Sequence, residues 1–143
     1  MRVVDFRRGT AVPAQEGLAA EVILIDTSSW IHFLRPNGSP EVRSRVSAAL
    51  SAGEACWCPL VRLELWNGAS GDRDRRALQD FASILPELPI DAEVWDSACD
   101  LGRRARAQGI SVPATDVLIA ACARRHGVDI ESADADFRLL ERV

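Results

Sequence analysis

Four acidic side chains stand where an acid is out of place unless something compensates it. Asp26 ends the apolar run Val22-Ile23-Leu24-Ile25, and Glu64 lies inside the mostly apolar segment 59–69. Asp116 opens the run Asp116-Val117-Leu118-Ile119-Ala120-Ala121, and Asp134 follows Val128-Asp129-Ile130. Carboxylates are rarely buried without a partner, and a buried charge is costly unless it is paired or bound to metal. Four acids brought to one point would form an all-oxygen site for a hard divalent cation, and such a site suits metal-assisted phosphodiester chemistry. Asp136, two residues past Asp134, is a further candidate ligand.

The elements that must position these acids are legible in the hydrophobic pattern. Residues 22–25 form a short continuous apolar run, as expected for a strand buried on both faces. Thr27 or Ser28 is expected to cap a helix running to Leu34, which Pro36-Asn37-Gly38 ends. Ser39 with Pro40 starts a second helix, and Val42, Val46, Ala49 and Leu50 share one of its faces. Residues 55–58 read as a second strand, residues 59–69 as a third helix and residues 72–85 as a fourth. Residues 88–90 are expected to form a third strand. Asp91 caps a fifth helix, along which Val94, Ala98, Leu101 and Ala105 recur at helical spacing. A sixth helix spans 113–126 and ends at Gly127, residues 128–131 give a fourth strand, and residues 134–140 a short last helix. Strands alternating with helices predict an α/β domain around a parallel sheet, whose sites form at the carboxyl ends of the strands. Asp26 and Asp134 fall there, and Glu64 and Asp116 come from helices able to point at the same end.

The chain has 143 residues, enough for one domain with an ordinary core. Residues 1–20 read as a mobile N-terminal extension with no secretory-signal pattern, a first strand being the alternative; residues 21–143 read as the domain. No apolar run is long enough to span a membrane, and the expectation is a cytoplasmic protein. Cys56, Cys58, Cys99 and Cys122 lack zinc-site spacing and are expected to be free, buried thiols. All basic residues are arginine, and the net charge is −4. The negative excess equals the charge of the four acids singled out above. An acidic total does not exclude a nucleic-acid partner, because a bound metal reverses the local field. Most arginines, including Arg43 and Arg45, read as solvated helix faces, with one or two left to contact phosphate. The tryptophans read as core or dimer packing, and His32 as a surface residue rather than a base.

The ordered fragments Ile25-Asp26-Thr27-Ser28-Ser29-Trp30-Ile31, Leu63-Glu64-Leu65-Trp66-Asn67-Gly68-Ala69, Ala114-Thr115-Asp116-Val117-Leu118-Ile119-Ala120-Ala121 and Ser132-Ala133-Asp134-Ala135-Asp136-Phe137 resemble the PIN-domain ribonucleases, specifically the VapC toxins of bacterial toxin–antitoxin pairs. The resemblance covers about residues 22–140. It implies a three-layer α/β/α PIN-like domain with a short central parallel sheet, and a magnesium-dependent (or manganese-dependent) endoribonuclease. Asp26, Glu64, Asp116 and Asp134 are similar to that family's catalytic, metal-binding acids, with Asp136 as an alternative alignment for the last. Thr27 or Ser28 matches the small hydroxyl after the first aspartate. The implied partners are an RNA substrate, a small cognate antitoxin and a second copy of the chain, with Trp30, Leu34 and Trp66 as expected antitoxin-docking positions. Relatives usually add a strand after the last helix, so that edge of the sheet is expected to be short or missing here.

Two other functions fit parts of the pattern. A haloacid-dehalogenase-type phosphatase also places an aspartate after its first strand, but it wants a second aspartate two residues on and a lysine. Here that position is Ser28, and lysine is absent from the chain. A PIN-like module that only binds a partner would not need the full set of acids.

Overall fold

The computed structural model describes residues 21–143, so the expected N-terminal extension, 1–20, lies outside the described residues. The element order is β1 (Ile23–Ile25), α1 (Thr27–Leu34), α2 (Pro40–Ser51), β2 (Ala55–Cys56), α3 (Pro59–Gly68), α4 (Gly71–Ile84), α5 (Ala92–Ala107), α6 (Ala114–His126), β3 (Asp129–Glu131) and α7 (Asp136–Leu140). The three strands form one parallel sheet in the order β2-β1-β3. The first crossover steps from β1 to one neighbour, and the second returns past β1 to the other side. Right-handed crossovers in opposite directions place helices on both faces of the sheet. Neighbouring strands whose connections leave in opposite directions open a crevice at their carboxyl ends. Here that crevice lies beyond β1 and β3.

Register fixes what meets there. Ile25 pairs with Glu131, and the Asp26 N–H continues the ladder to the Glu131 carbonyl at 2.9 Å. Asp26 and Ser132 are therefore the first residues past the paired strands. Glu131 itself is buried, and its Oε1 receives Arg45 Nε at 2.7 Å. Arg45 thus has a structural role rather than a place on a solvated face. Breaking a buried ion pair of this kind costs about 3 kcal/mol or more, because it strands a charge.

The expected strand at residues 88–90 does not form. Trp57 makes a single parallel bridge with Glu87, through Leu88 N–H to the Trp57 carbonyl at 2.9 Å and Trp57 N–H to the Pro86 carbonyl at 3.2 Å. Pro86 and Pro89 flank this contact and have no N–H to extend a ladder. The pairing stops after one bridge, leaving three strands rather than four among the described residues.

The core sits between the sheet and the long helices. Seven consecutive residues of α6, Val117 to Ala123, are buried, as expected of a helix enclosed on all sides. Gly127 then ends α6 at φ +67°, a conformation glycine adopts without steric cost. Trp30 is fully buried, with its ring centroid 4.8 Å from that of Phe81 and 6.5 Å from that of Trp57. It is a core residue and unavailable as a docking anchor. His32 is also structural: its Nδ1 accepts the Ser39 N–H at 2.9 Å. Cys56, Cys58 and Cys122 are buried thiols, but Cys99 is exposed on α5, against the expectation for all four. No helix among the described residues is long and apolar enough to cross a membrane.

Candidate metal centre

Each candidate acid reaches the crevice from a different element. Asp26 follows β1 and is itself the N-cap of α1, its side chain accepting the Ser28 N–H at 3.3 Å. The cap was expected one or two residues later. Glu64 projects from α3, and Asp116 lies in the first turn of α6. Asp134 lies between β3 and α7, which starts at Asp136 rather than at Asp134. The Asp136 N–H donates to Asp134 Oδ1 at 3.0 Å and so holds the entry to α7.

Three of these acids come into close register. One carboxylate oxygen from each of Asp116, Asp134 and Asp136 lies within 4.8 Å of the others. Asp26 and Glu64 are not members of that triad; Asp26 acts on it directly, and Glu64 is linked to Asp26. The charge of Asp26 acts on Glu64 and on Asp116. Thr27 Oγ1 donates to Glu64 Oε1 at 3.0 Å, fastening α3 to the start of α1.

The electrostatics are those of acids crowded without a counter-charge. Burial raises Asp26 above the ordinary carboxylate range, opposed by its hydrogen bonds from Ser28 and Ser132. Burial also raises Glu64, helped by the charge of Asp26 and opposed by the Thr27 hydrogen bond. Burial, a hydrogen bond with Asp136 and the charges of Asp26, Asp134 and Asp136 push Asp116 up to about 7. Oxygen donors alone, several of them destabilised as anions, suit a small hard cation such as magnesium or manganese.

Ser132 is a contributor that pattern reading passed over. Its hydroxyl donates to Asp26 Oδ2 at 3.0 Å, beside the Ser28 hydroxyl at 2.8 Å. A signal was present, since Asp26-x-Ser28 past β1 mirrors Ser132-x-Asp134 past β3.

Beside the cluster, α5 and the segment leading into α6 border an open groove of about 870 Å³. Trp95 (55% exposed), Cys99, Gly102, Arg106, Ile110 and Thr115 are on its walls, and Thr115 directly precedes Asp116.

Comparison with known proteins agrees with this geometry. The PIN domain family matches residues 23–143. The VapC ribonuclease Mb1587 of Mycobacterium bovis is 36% identical over 127 residues, covering 85% of this chain and 93% of that protein. Ribonuclease VapC18 of Mycobacterium tuberculosis is 37% identical over 120 residues, covering 81% and 85% respectively. In fold, the chain resembles the DNA-bound VapBC crystal structure from Salmonella typhimurium, with a TM-score of 0.69 and 21% identity over 82% of this chain and 91% of that one. A strand-end aspartate, acids delivered by α3, α6 and the approach to α7, and a sequence match spanning all of these elements place the chain in the PIN-domain family, among its VapC members.

Proposed function

We propose that the chain is a metal-dependent endoribonuclease acting as the toxin of a toxin–antitoxin pair. The observation that carries this reading is the meeting of Asp116, Asp134 and Asp136 within 4.8 Å at the carboxyl end of the sheet, with the charge of Asp26 acting on Asp116 and on Glu64. The names of the relatives, ribonucleases of the VapC type, support the same activity. A phosphatase of the haloacid type is disfavoured, because Ser28 stands where its second aspartate would be and its hydroxyl is spent on Asp26.

Asp26, Glu64, Asp116 and Asp134 or Asp136 would hold magnesium or manganese. When bound, such an ion activates water at neutral pH and stabilises charge on the scissile phosphate and leaving oxygen. The residues of the chain supply the rest. Asp26 is fixed by its serine donors, so its carboxylate is oriented before any ligand arrives. Thr27 restrains Glu64 through its hydrogen bond to Oε1. Asp116, poised near 7, keeps or releases its proton close to neutral pH. Neither histidine is needed: His32 is committed to Ser39, and His126 Nε2 lies 2.8 Å from the Pro89 carbonyl.

A small antitoxin and a second copy of the chain are the proposed protein partners. With Trp30 enclosed, docking falls to the apolar side chains that do reach solvent, among them Ile31 at 37% and Leu63 at 55% exposed, on the packed helices α1 and α3. Pairing of two copies is assigned to the groove face of α5. That face presents the exposed Trp95 beside Cys99 and Arg106, an aromatic anchor that a second copy can cover.

Expression in a bacterium tests the biological role. Induction of the chain is expected to stop growth and degrade cellular RNA. Asp26→Ala is expected to relieve both effects, and so is co-expression of the proposed antitoxin. Undisturbed growth with abundant folded chain would refute the toxin role.

A further inference from the structure

We propose that Ser132, acting with Ser28, is a positioning residue that presets the metal centre by tying Asp26 to the segment carrying Asp134 and Asp136. This inference rests on the metal-centre reading above and adds a residue outside its ligand set.

The bonding can be followed proton by proton. A serine hydroxyl has one proton to donate and lone pairs to accept with. Ser28 Oγ donates to Asp26 Oδ2 at 2.8 Å, and Ser132 Oγ donates to the same oxygen at 3.0 Å. Both protons are then spent, so the 3.2 Å contact between the two hydroxyl oxygens has no proton of its own. Each oxygen instead accepts a backbone N–H from the segment past β3: Ala133 N–H crosses to Ser28 Oγ at 3.2 Å, and Asp134 N–H turns back to Ser132 Oγ at 2.9 Å. Asp136 N–H then binds Asp134 Oδ1 at 3.0 Å.

The result is a continuous chain of donors from the α7 entry to Asp26. The carboxylate aligns the two hydroxyls, the hydroxyls align the amides of residues 133 and 134, and those amides place Asp134 and Asp136 opposite Asp116. Each group has its donors and acceptors matched, and partners of this kind commonly change metal affinity 10–100-fold when removed. Ser132 is only partly buried, so an added methyl group meets solvent on one side.

The test uses Ser132→Thr and Ser132→Val, which share a shape and differ in the hydroxyl, beside the parent and Ser28→Ala. Manganese binding to the metal-free full chain is measured by titration calorimetry. Amide hydrogen exchange is followed at residues 133–136. Ser132→Val is expected to bind manganese about ten-fold or more weakly and to exchange faster at Ala133 and Asp134, while Ser132→Thr stays within about three-fold of the parent. Adding Ser28→Ala to Ser132→Val is expected to cost less than its effect alone, because the two act through one carboxylate. If Thr and Val variants bind manganese equally, the proposal is wrong, even if both melt earlier, since that is what a merely structural serine would do. If the parent binds no manganese, the metal-centre reading fails as a whole, and the two failures are thereby distinguished.

Discussion

Replacing Asp116 with alanine is expected to reduce RNA cleavage by on the order of a thousand-fold while leaving the far-ultraviolet circular dichroism unchanged. Several kcal/mol of transition-state charge stabilisation depends on the ligand set, and each 1.36 kcal/mol is about ten-fold in rate. Asp116 has the largest stake because it borders Asp134 and Asp136 and feels the charge of Asp26. Asp26→Ala and Glu64→Ala are expected to fall nearly as far. The comparison of Asp134→Ala with Asp136→Ala resolves the alternative alignments. Both side chains belong to the close triad, so both variants are expected to lose activity, and the larger loss marks the closer ligand. Parental rates across all five variants would show that the carboxylate cluster is not the active site.

The second large effect is on stability. Millimolar magnesium or manganese is expected to raise the melting temperature by several degrees, since a ligand present at ten to a hundred times its Kd contributes about 1.4–2.7 kcal/mol. Without metal, pH has the opposite sense from ordinary surface carboxylates. Asp116 has an ordinary value of 3.8 and is raised to about 7 in the folded chain, so the folded state holds this proton more tightly. Stability from this group is full below about 4 and is lost as pH rises towards about 7. A three-unit rise corresponds to about 4 kcal/mol, which solvent at a half-buried carboxyl reduces to about 1–2 kcal/mol. Asp26 and Glu64, also raised, act in the same direction. The metal-free melting temperature is therefore expected to fall between pH 5.5 and 7.5, and Asp116→Asn to flatten that fall. Metal is expected to stabilise more at pH 7.5 than at pH 5.5, because it needs the deprotonated acids. Differential scanning calorimetry at both pH values, with and without metal, checks each sign; identical curves for parent and variant would contradict the crowded-acid account.

Much of this arrangement is legible in the residues, for physical reasons. The apolar run before Asp26 marks β1, because a strand buried on both faces carries no alternation. Asp91 announces the start of α5 and Gly127 the end of α6. The acids themselves stand out because local pattern gives no reason for them. The missing strand at residues 88–90 is a matter of hydrogen-bond supply, which apolar pattern does not record but Pro86 and Pro89 do. Burial of Trp30, exposure of Cys99 and pairing of Arg45 with Glu131 depend on contacts distant in sequence, which periodicity along one helix does not contain. Ser132 escaped for a related reason. A serine after a strand is ordinary in composition, and its meaning comes from the register that sets it beside Asp26.

The most direct measurement is the rate at which the purified chain cleaves single-stranded RNA as manganese is titrated into metal-free protein, with Asp116→Asn run in parallel. Cleavage is expected to be absent in chelator, to rise to a plateau with manganese, and to stay near background at every manganese concentration for the variant. Cleavage that persists in chelator, or that the variant matches at saturating metal, would contradict a ribonuclease built on these carboxylates.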